Sequence, residues 1–274
     1  MSVVAISETA GSQGTEIGRL LAAKLGYEFA DREIISKAAE RFGETATDLM
    51  HATEEKPTLW DRVRESQRRY LTYVEAILFE MAAADNAVLV GRGAAIVLAR
   101  FPHVLRVRMT AAEATRARRI RDADGLTPEA AADDVRRCDH DRAARLRFFY
   151  HVDWDDARLY DLVLNTDRIG VPCAMGTIAE VLRAEQFRTV PASRGGIVDA
   201  SLAAQARAAL LRHPLLRSRH LAVGCSDGII TLSGTVGAPA DRTMAEQAVA
   251  PIPGVGRVQN NIVTLHPSYR SPVG

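Results

Sequence analysis

Val3-Val4-Ala5-Ile6-Ser7-Glu8-Thr9-Ala10-Gly11-Ser12-Gln13-Gly14-Thr15-Glu16-Ile17-Gly18 is the stretch whose reading decides the fold. An apolar run begins almost at the first residue, passes through a small, glycine-bearing turn, and enters a helical pattern with Ile17, Leu20, Leu21 and Leu25 on one face. This predicts a strand, a tight loop and a helix. Gly11 and Gly14 let the backbone turn sharply and leave its N–H groups uncovered, while the helix directs its partial positive end into the same space. Such a turn suits an anion, most often a phosphate. A Walker-type loop, G-x-x-x-x-G-K-[ST], would carry lysine where Gly14 stands. A strand-to-helix turn packed with small residues is the alternative reading of the same stretch.

The 274 residues are 47% apolar, with a formal net charge of +1. That is room for one medium domain and a small one, and it predicts no general affinity for nucleic acid. No stretch reaches transmembrane length, and Met1-Ser2 runs straight into the first strand without a charged-then-apolar leader, so the expected location is the cytoplasm. Cys138, Cys173 and Cys225 match no metal or redox spacing, and the seven histidines form no H-E-x-x-H pattern. A metal site made by protein groups alone is not expected.

After the first helix, residues 27–30 read as a strand ending at Asp31, residues 32–42 as a helix stopped by Gly43, and residues 44–85 as charged helix. Its apolar side is Trp60, Val63, Tyr70, Val74, Ile77 and Leu78. Further strands are predicted at 87–90, 104–109 and 160–165, the first breaking at Gly91-Arg92-Gly93 into a helix from Ala94. Strands alternating with helices over residues 1–187 imply an α/β fold with a parallel five-stranded sheet covered on both faces. Ligands on such sheets sit at the carboxyl ends of the strands, where Gly11, Asp31, Arg92 and Asn165 all fall.

Between the fourth and fifth strands the chain is rich in arginine: 116, 118, 119, 121, 136, 137, 142, 145 and 147. Thr127 and Pro128 are placed to cap and start a helix within it. Asp122, Asp124, Asp133, Asp134, Asp139 and Asp141 can pair with individual arginines. As a group, however, these arginines suit phosphoryl transfer, in which charge spread over the transferring oxygens must be neutralised.

Four stretches in order, Gly11–Gly18, Asp31-Arg32, Val90-Gly91-Arg92-Gly93 and 160–166, with Arg116-x-x-Arg119 and Asp139-x-x-Arg142 between the last two, resemble the cytidylate kinase-like branch of the P-loop nucleoside monophosphate kinases. The resemblance covers residues 1–187 and implies a helical lid, with ATP and Mg²⁺ as cofactors. It implies that Gly11, Ser12, Gly14 and Thr15 cradle the ATP phosphates, with Thr15 as the hydroxyl ligand of Mg²⁺. Asp31 and Arg92 would hold the acceptor, and Arg119, Arg137 and Arg142 would stabilise charge in the transfer. Asp139, like Asp31, would position partners or the metal shell. Two positions depart from the family pattern: Gly14 replaces its lysine, and Glu8 stands where an arginine follows the first strand's serine. The resemblance thus implies a nucleotide kinase, or else a catalytically impaired nucleotide-binding pseudokinase.

Residues 188–198 read as a linker, and residues 199–266 as helix, two strands, helix and strand, followed by a tail at 267–274. Asp227-Gly228, Thr231-Leu232-Ser233-Gly234-Thr235-Val236, Gly254-Val255 and Val258-x-Asn260-Asn261 resemble the BON domain, which implies contact with a phospholipid surface or a protein partner. Arg207, Arg212, Arg217 and Arg219 could face an anionic surface. Gly224-x-Ser226-x-Gly228 matches the nucleophile elbow of hydrolases, but both flanks are β-patterned and Asp-Gly predicts a hairpin turn. Ser226 is therefore expected to be a turn residue.

Overall fold

The structure, a computed structural model, describes residues 2–31, 33–51, 60–217 and 221–265. The side chains of 48, 50, 51 and 60–65 lie outside it. Arg32, Arg219, the tail at 267–274 and the packing of Trp60 and Val63 fall among the residues not described. The chain separates into two compact units, Met1–Ile34 with Ala84–Ser193, and Ile35–Ala83 with Arg194–Gly274. Residues Ile35–Ala83 belong by sequence to the first module, yet they group with the C-terminal residues.

The first unit is built on strands β1 (Val3–Glu8), β2 (Glu28–Ala30), β3 (Ala87–Val90), β4 (Val104–Thr110) and β5 (Leu162–Asn165). They form one sheet in the order β2-β3-β1-β4-β5, and every pairing is parallel. Helix α1 (Gly14–Leu25) follows β1, and α2 (Glu33–Phe42) follows β2 and spans the boundary between the units. From β1 the chain passes to the edge strand β2, returns with β3 beside β1, and then crosses to the other side for β4 and β5, so the crevice above β1 is where strand order reverses.

Val4, Ile6, Val88, Val90, Leu105, Val107 and Met109 pack against Ile17 and Leu21 of α1 and Ile178 and Leu182 of α8 (Val171–Leu182). Val3 and Ala5, which face the other way, are also 0% exposed. Both faces are covered, which is why these strands read as continuous apolar runs. The short α5 (Ala94–Val97) follows β3, and between β4 and β5 lie α6 (Glu113–Asp124) and α7 (Pro128–Tyr150). The Thr127 hydroxyl accepts the Ala130 N–H at 3.2 Å and Pro128 fills the first turn, as the sequence predicts.

In the second unit, α3 (Ala46–His51) and α4 (Trp60–Ala83) precede α9 (Pro191–Arg212), most of which belongs here. Tyr70, Val74, Ile77 and Leu78 are buried as expected, and Phe42 stacks on Tyr73 at 4.5 Å. Helix α9 begins at Pro191, eight residues before the start the sequence predicts, and so runs through most of the stretch expected to be a linker. Proline suits a first helical turn, the Ser193 hydroxyl accepts the Val190 N–H at 3.1 Å, and Ile197 is 1% exposed. Apolar burial at Ile197 and Ala200 offsets the roughly 1 kcal/mol that each of Gly195 and Gly196 costs a helix.

The remaining elements are β6 (Ala222–Ser226), β7 (Ile229–Val236), α10 (Pro239–Val249) and β8 (Arg257–Thr264), in the predicted order. The sheet runs β6-β7-β8, with β6 antiparallel to β7 and β7 parallel to β8. Asp227 and Gly228 both have positive φ, 49° and 74°, the two left-handed residues that a tight hairpin needs. Asp199 accepts both of their N–H groups at 2.9 Å. Ser226 ends a strand and leads into this turn, so no strand-to-helix elbow forms there.

Candidate functional site

The carboxyl ends of β1, β2 and β3 bring the first loop, Asp31 and Arg92 to one edge of the sheet. Gly11 has φ +74°, and a Cβ there would lie 2.8 Å from the Arg116 carbonyl, so both conformation and close approach demand glycine. Ser12 is fully buried; its N–H and hydroxyl both donate to the Thr9 carbonyl, at 3.1 and 2.8 Å. Its role is thus to close the turn. Gln13, not a glycine, precedes α1 in a left-handed conformation with φ 63°.

Glu8 decides the chemistry of this loop. Its carboxylate curls back over the start of α1, accepting the Thr15 N–H at 2.8 Å and the Thr15 hydroxyl at 3.0 Å. It takes the seat in which a helix N-terminus would hold a bound anion. A Cβ on Gly14 would fall 2.7 Å from Glu8 Oε2 and 2.8 Å from Glu8 Cβ. The two departures from the phosphate-loop pattern are therefore one feature: Glu8 can lie here because position 14 has no side chain. Thr15 Oγ1 is also 3.4 Å from Asp31 Oδ2.

Arginines of α6 and α7 reach the same loop. Arg119 donates to the Gly11 carbonyl at 3.2 Å and to the Thr166 hydroxyl and carbonyl at 3.0 and 2.7 Å. Arg142 donates to the Glu8 carbonyl at 2.6 Å, with its other nitrogen 3.7 Å from the Glu8 carboxylate. Arg137 is not brought in; it pairs with Asp134 one turn back on α7 and is 73% exposed. Asp139 accepts the Ala10 N–H at 2.9 Å and pairs with Arg116 at 2.6 Å. Arg116, buried, also donates to the carbonyls of Ala10 and Ala111.

Arg92 stands apart from this network. Gly91, Arg92 and Gly93 are three successive left-handed residues, with φ 75°, 52° and 74°. Arginine in this region is strained, and the turn keeps it while pointing the chain out of β3. Among the described residues Arg92 makes no hydrogen bond or ion pair.

Sequence reasoning missed Glu8 as a structural anion, Thr166 as the anchor of Arg119, and a second cluster below the loop. There Arg108 of β4 is 4% exposed, stacked 3.6 Å from the Trp154 ring, donating to Ser7 at 3.3 Å and to Asp155 at 3.0 Å. Burial lowers the affinity of Arg108 for its proton, although Tyr160 and Asp155 oppose this. Trp154 also donates to Ser7, at 2.8 Å. The available signal was period two in β4, which sets Arg106 and Arg108 on one face of an otherwise apolar strand.

An open parallel sheet with a phosphate-type loop at its switch point defines the class: a P-loop kinase-like α/β protein. Residues 3–168 match the cytidylate kinase-like family, and the chain belongs to it. Residues 198–265 match the BON domain. Among curated relatives, a cytidylate kinase of Methanoculleus marisnigri is 29% identical over 65% of this chain and 91% of its own length. One of Ignicoccus hospitalis is 27% identical over 66% and 99%. A crystal structure of an uncharacterized protein from Eubacterium ventriosum aligns with TM-score 0.55 at 17% identity, covering 68% of this chain and all of that one. Among the described residues no helix is long and apolar enough to cross a membrane, and no cluster of three or more His, Cys, Asp or Glu residues could hold a metal.

Proposed function

We propose that this chain is an ATP-dependent phosphotransferase acting on a nucleoside monophosphate of the cytidylate kind, working in the cytoplasm. The observation that carries this reading is the strained Arg92, unpaired among the described residues, at the same sheet edge as the phosphate-type loop. A guanidinium held there at a conformational cost is suited to the monophosphate of an acceptor.

The site fits a magnesium nucleotide. Thr15, Glu8 and Asp31 offer the hard oxygen donors that Mg²⁺ takes, and the carboxylate against the Thr15 N–H is itself a stand-in for a phosphate oxygen. Thr15 would hold the metal and Asp31 its shell, while the turn through Gly11, Ser12, Gly14 and Thr15 would cradle the phosphates. When bound, the metal nucleotide supplies the transferable phosphoryl group and neutralises its charge. Arg92 orients the acceptor, and Arg119 and Arg142 stabilise charge on the transferring oxygens. Arg137 joins them only if its side chain leaves Asp134. The chemistry needs no covalent intermediate, only alignment and electrostatics.

A second reading is favoured by Glu8. Exchanging a cation for a carboxylate beside the phosphates costs on the order of a hundredfold or more in rate. The chain would then be a nucleotide-binding pseudokinase that governs what its BON domain contacts, an anionic phospholipid surface or a protein. Incubation of the purified chain with ATP, CMP and Mg²⁺, followed by product analysis, separates the two. Formation of ADP and CDP supports the kinase. Binding of both nucleotides without turnover supports the pseudokinase.

A further inference from the structure

The Glu8 carboxylate is fixed in place through both of its oxygens. Its side chain is 15% exposed, and it sits on the N-terminal turn of the twelve-residue α1. One oxygen accepts the Thr15 N–H, the other accepts the Thr15 hydroxyl, and Arg142 Nη2 lies 3.7 Å away. The backbone has been cut to fit it, since any side chain at position 14 would overlap it. A nucleotide phosphate approaching the same N–H group would meet a fixed negative charge at hydrogen-bonding range.

We propose that Glu8 is a built-in competitor of the nucleotide phosphate, a specificity-determining residue that admits nucleotides to this loop as divalent-cation complexes and excludes the free polyphosphate. This rests on the nucleotide-binding reading above. A free triphosphate and a carboxylate repel each other in a partly desolvated site, where one unit charge opposite another matters far more than in bulk water. A divalent cation carried by the phosphates would turn that repulsion into attraction, since the Glu8 carboxylate offers the hard oxygen donors such a cation takes. Arg142 only partly relieves the repulsion, because its shorter contact is to the Glu8 carbonyl, at 2.6 Å, and not to the carboxylate. Glycine at 14 also leaves the loop without the fixed ammonium that would otherwise offset the charge.

The test measures the affinity of the full chain for ATP by calorimetry, with excess MgCl₂ or with EDTA, for the natural protein and for Glu8→Gln. The amide keeps an oxygen that can accept the Thr15 N–H, and it replaces the oxygen that accepts the Thr15 hydroxyl by an NH2 to which that hydroxyl oxygen can turn as acceptor. Cation-free ATP is expected to bind Glu8→Gln about ten- to a hundredfold more tightly than it binds the natural protein, while affinity for Mg–ATP falls, because the cation loses a carboxylate. An equal change under both conditions, or no change with EDTA, overturns the proposal and leaves nucleotide binding standing. If neither protein binds ATP under either condition while both melt cooperatively, the nucleotide-binding reading falls and the proposal with it. Should Glu8→Gln not fold, Glu8→Ala serves in its place with the same two outcomes.

Discussion

Arg92 lies at φ +52° between two left-handed glycines, so its replacement by glycine should separate function from structure. A non-glycine residue in the left-handed region costs about 1–2 kcal/mol, and glycine returns roughly 0.5–1 kcal/mol of that through the greater freedom of the unfolded chain. Arg92→Gly should therefore be neutral in stability or gain up to about 1.5 kcal/mol, a rise in Tm of no more than about 3–6 °C for a chain of this size. The charge-assisted contact to an acceptor phosphate, about 1.5–3 kcal/mol, is lost in the same variant, so CMP binding should weaken by roughly ten- to a hundredfold. Arg92→Ala loses the same contact but keeps the strain, so it should match the glycine variant in CMP affinity and fall below it in Tm. Thermal unfolding and calorimetric titration with CMP and with Mg–ATP read all of these quantities, and Mg–ATP affinity should hardly move. A lowered Tm for Arg92→Gly with unaltered CMP affinity would refute the reasoning and make Arg92 a structural residue.

Gly14→Ala should destabilise the chain by about 1–3 kcal/mol, because its methyl overlaps Glu8, and Glu8→Ala in the same chain should recover most of that loss; purely additive effects in denaturant unfolding would mean that the two positions are uncoupled. His103 is 1% exposed, with no hydrogen-bond partner on either ring nitrogen among the described residues, and burial holds its pKa below the usual imidazole value against the pull of Asp85. The unfolded chain therefore takes up that proton more readily, so stability present above about pH 6.5 is lost as pH falls below it; His103→Gln should flatten the slope of Tm between pH 7 and pH 5, and an unchanged slope would exclude this residue as its source. The Cys225 thiol is pushed up to about 12, first by burial and then by Asp199, which accepts from it at 3.2 Å, whereas Cys173 is exposed. Iodoacetamide at neutral pH should label Cys173 well before Cys225, and the reverse order in a peptide map would contradict the Asp199 contact.

The sequence alone settled the alternation of strand and helix, because burial of a parallel sheet on both faces writes itself as short apolar runs punctuated by glycine and capping residues. Thr127 with Pro128, and Asp227 with Gly228, act through local backbone geometry, and both sit where pattern and turn chemistry place them. The kinase-like family and the BON domain were legible for the same reason, since each motif is a short local stretch and the stretches keep their order along the chain. What tertiary structure decided is which side chains meet and which are buried, whether the partners lie far along the chain or only one loop away. The start of α9 at Pro191 depends on the burial of Ile197, which a polar, glycine-bearing stretch does not advertise. Arg116 and Arg119 look like one helical face, yet folding buries the first against Asp139 and Ala10 and ties the second to Thr166. Above all, Glu8 and Gly14 read as two separate losses of positive charge, and only the return of the chain over α1 makes them a single fitted pair. Local propensity fixes where the elements lie, but the pairing of charges across them is set by packing, and the chemistry of this site rests on that pairing.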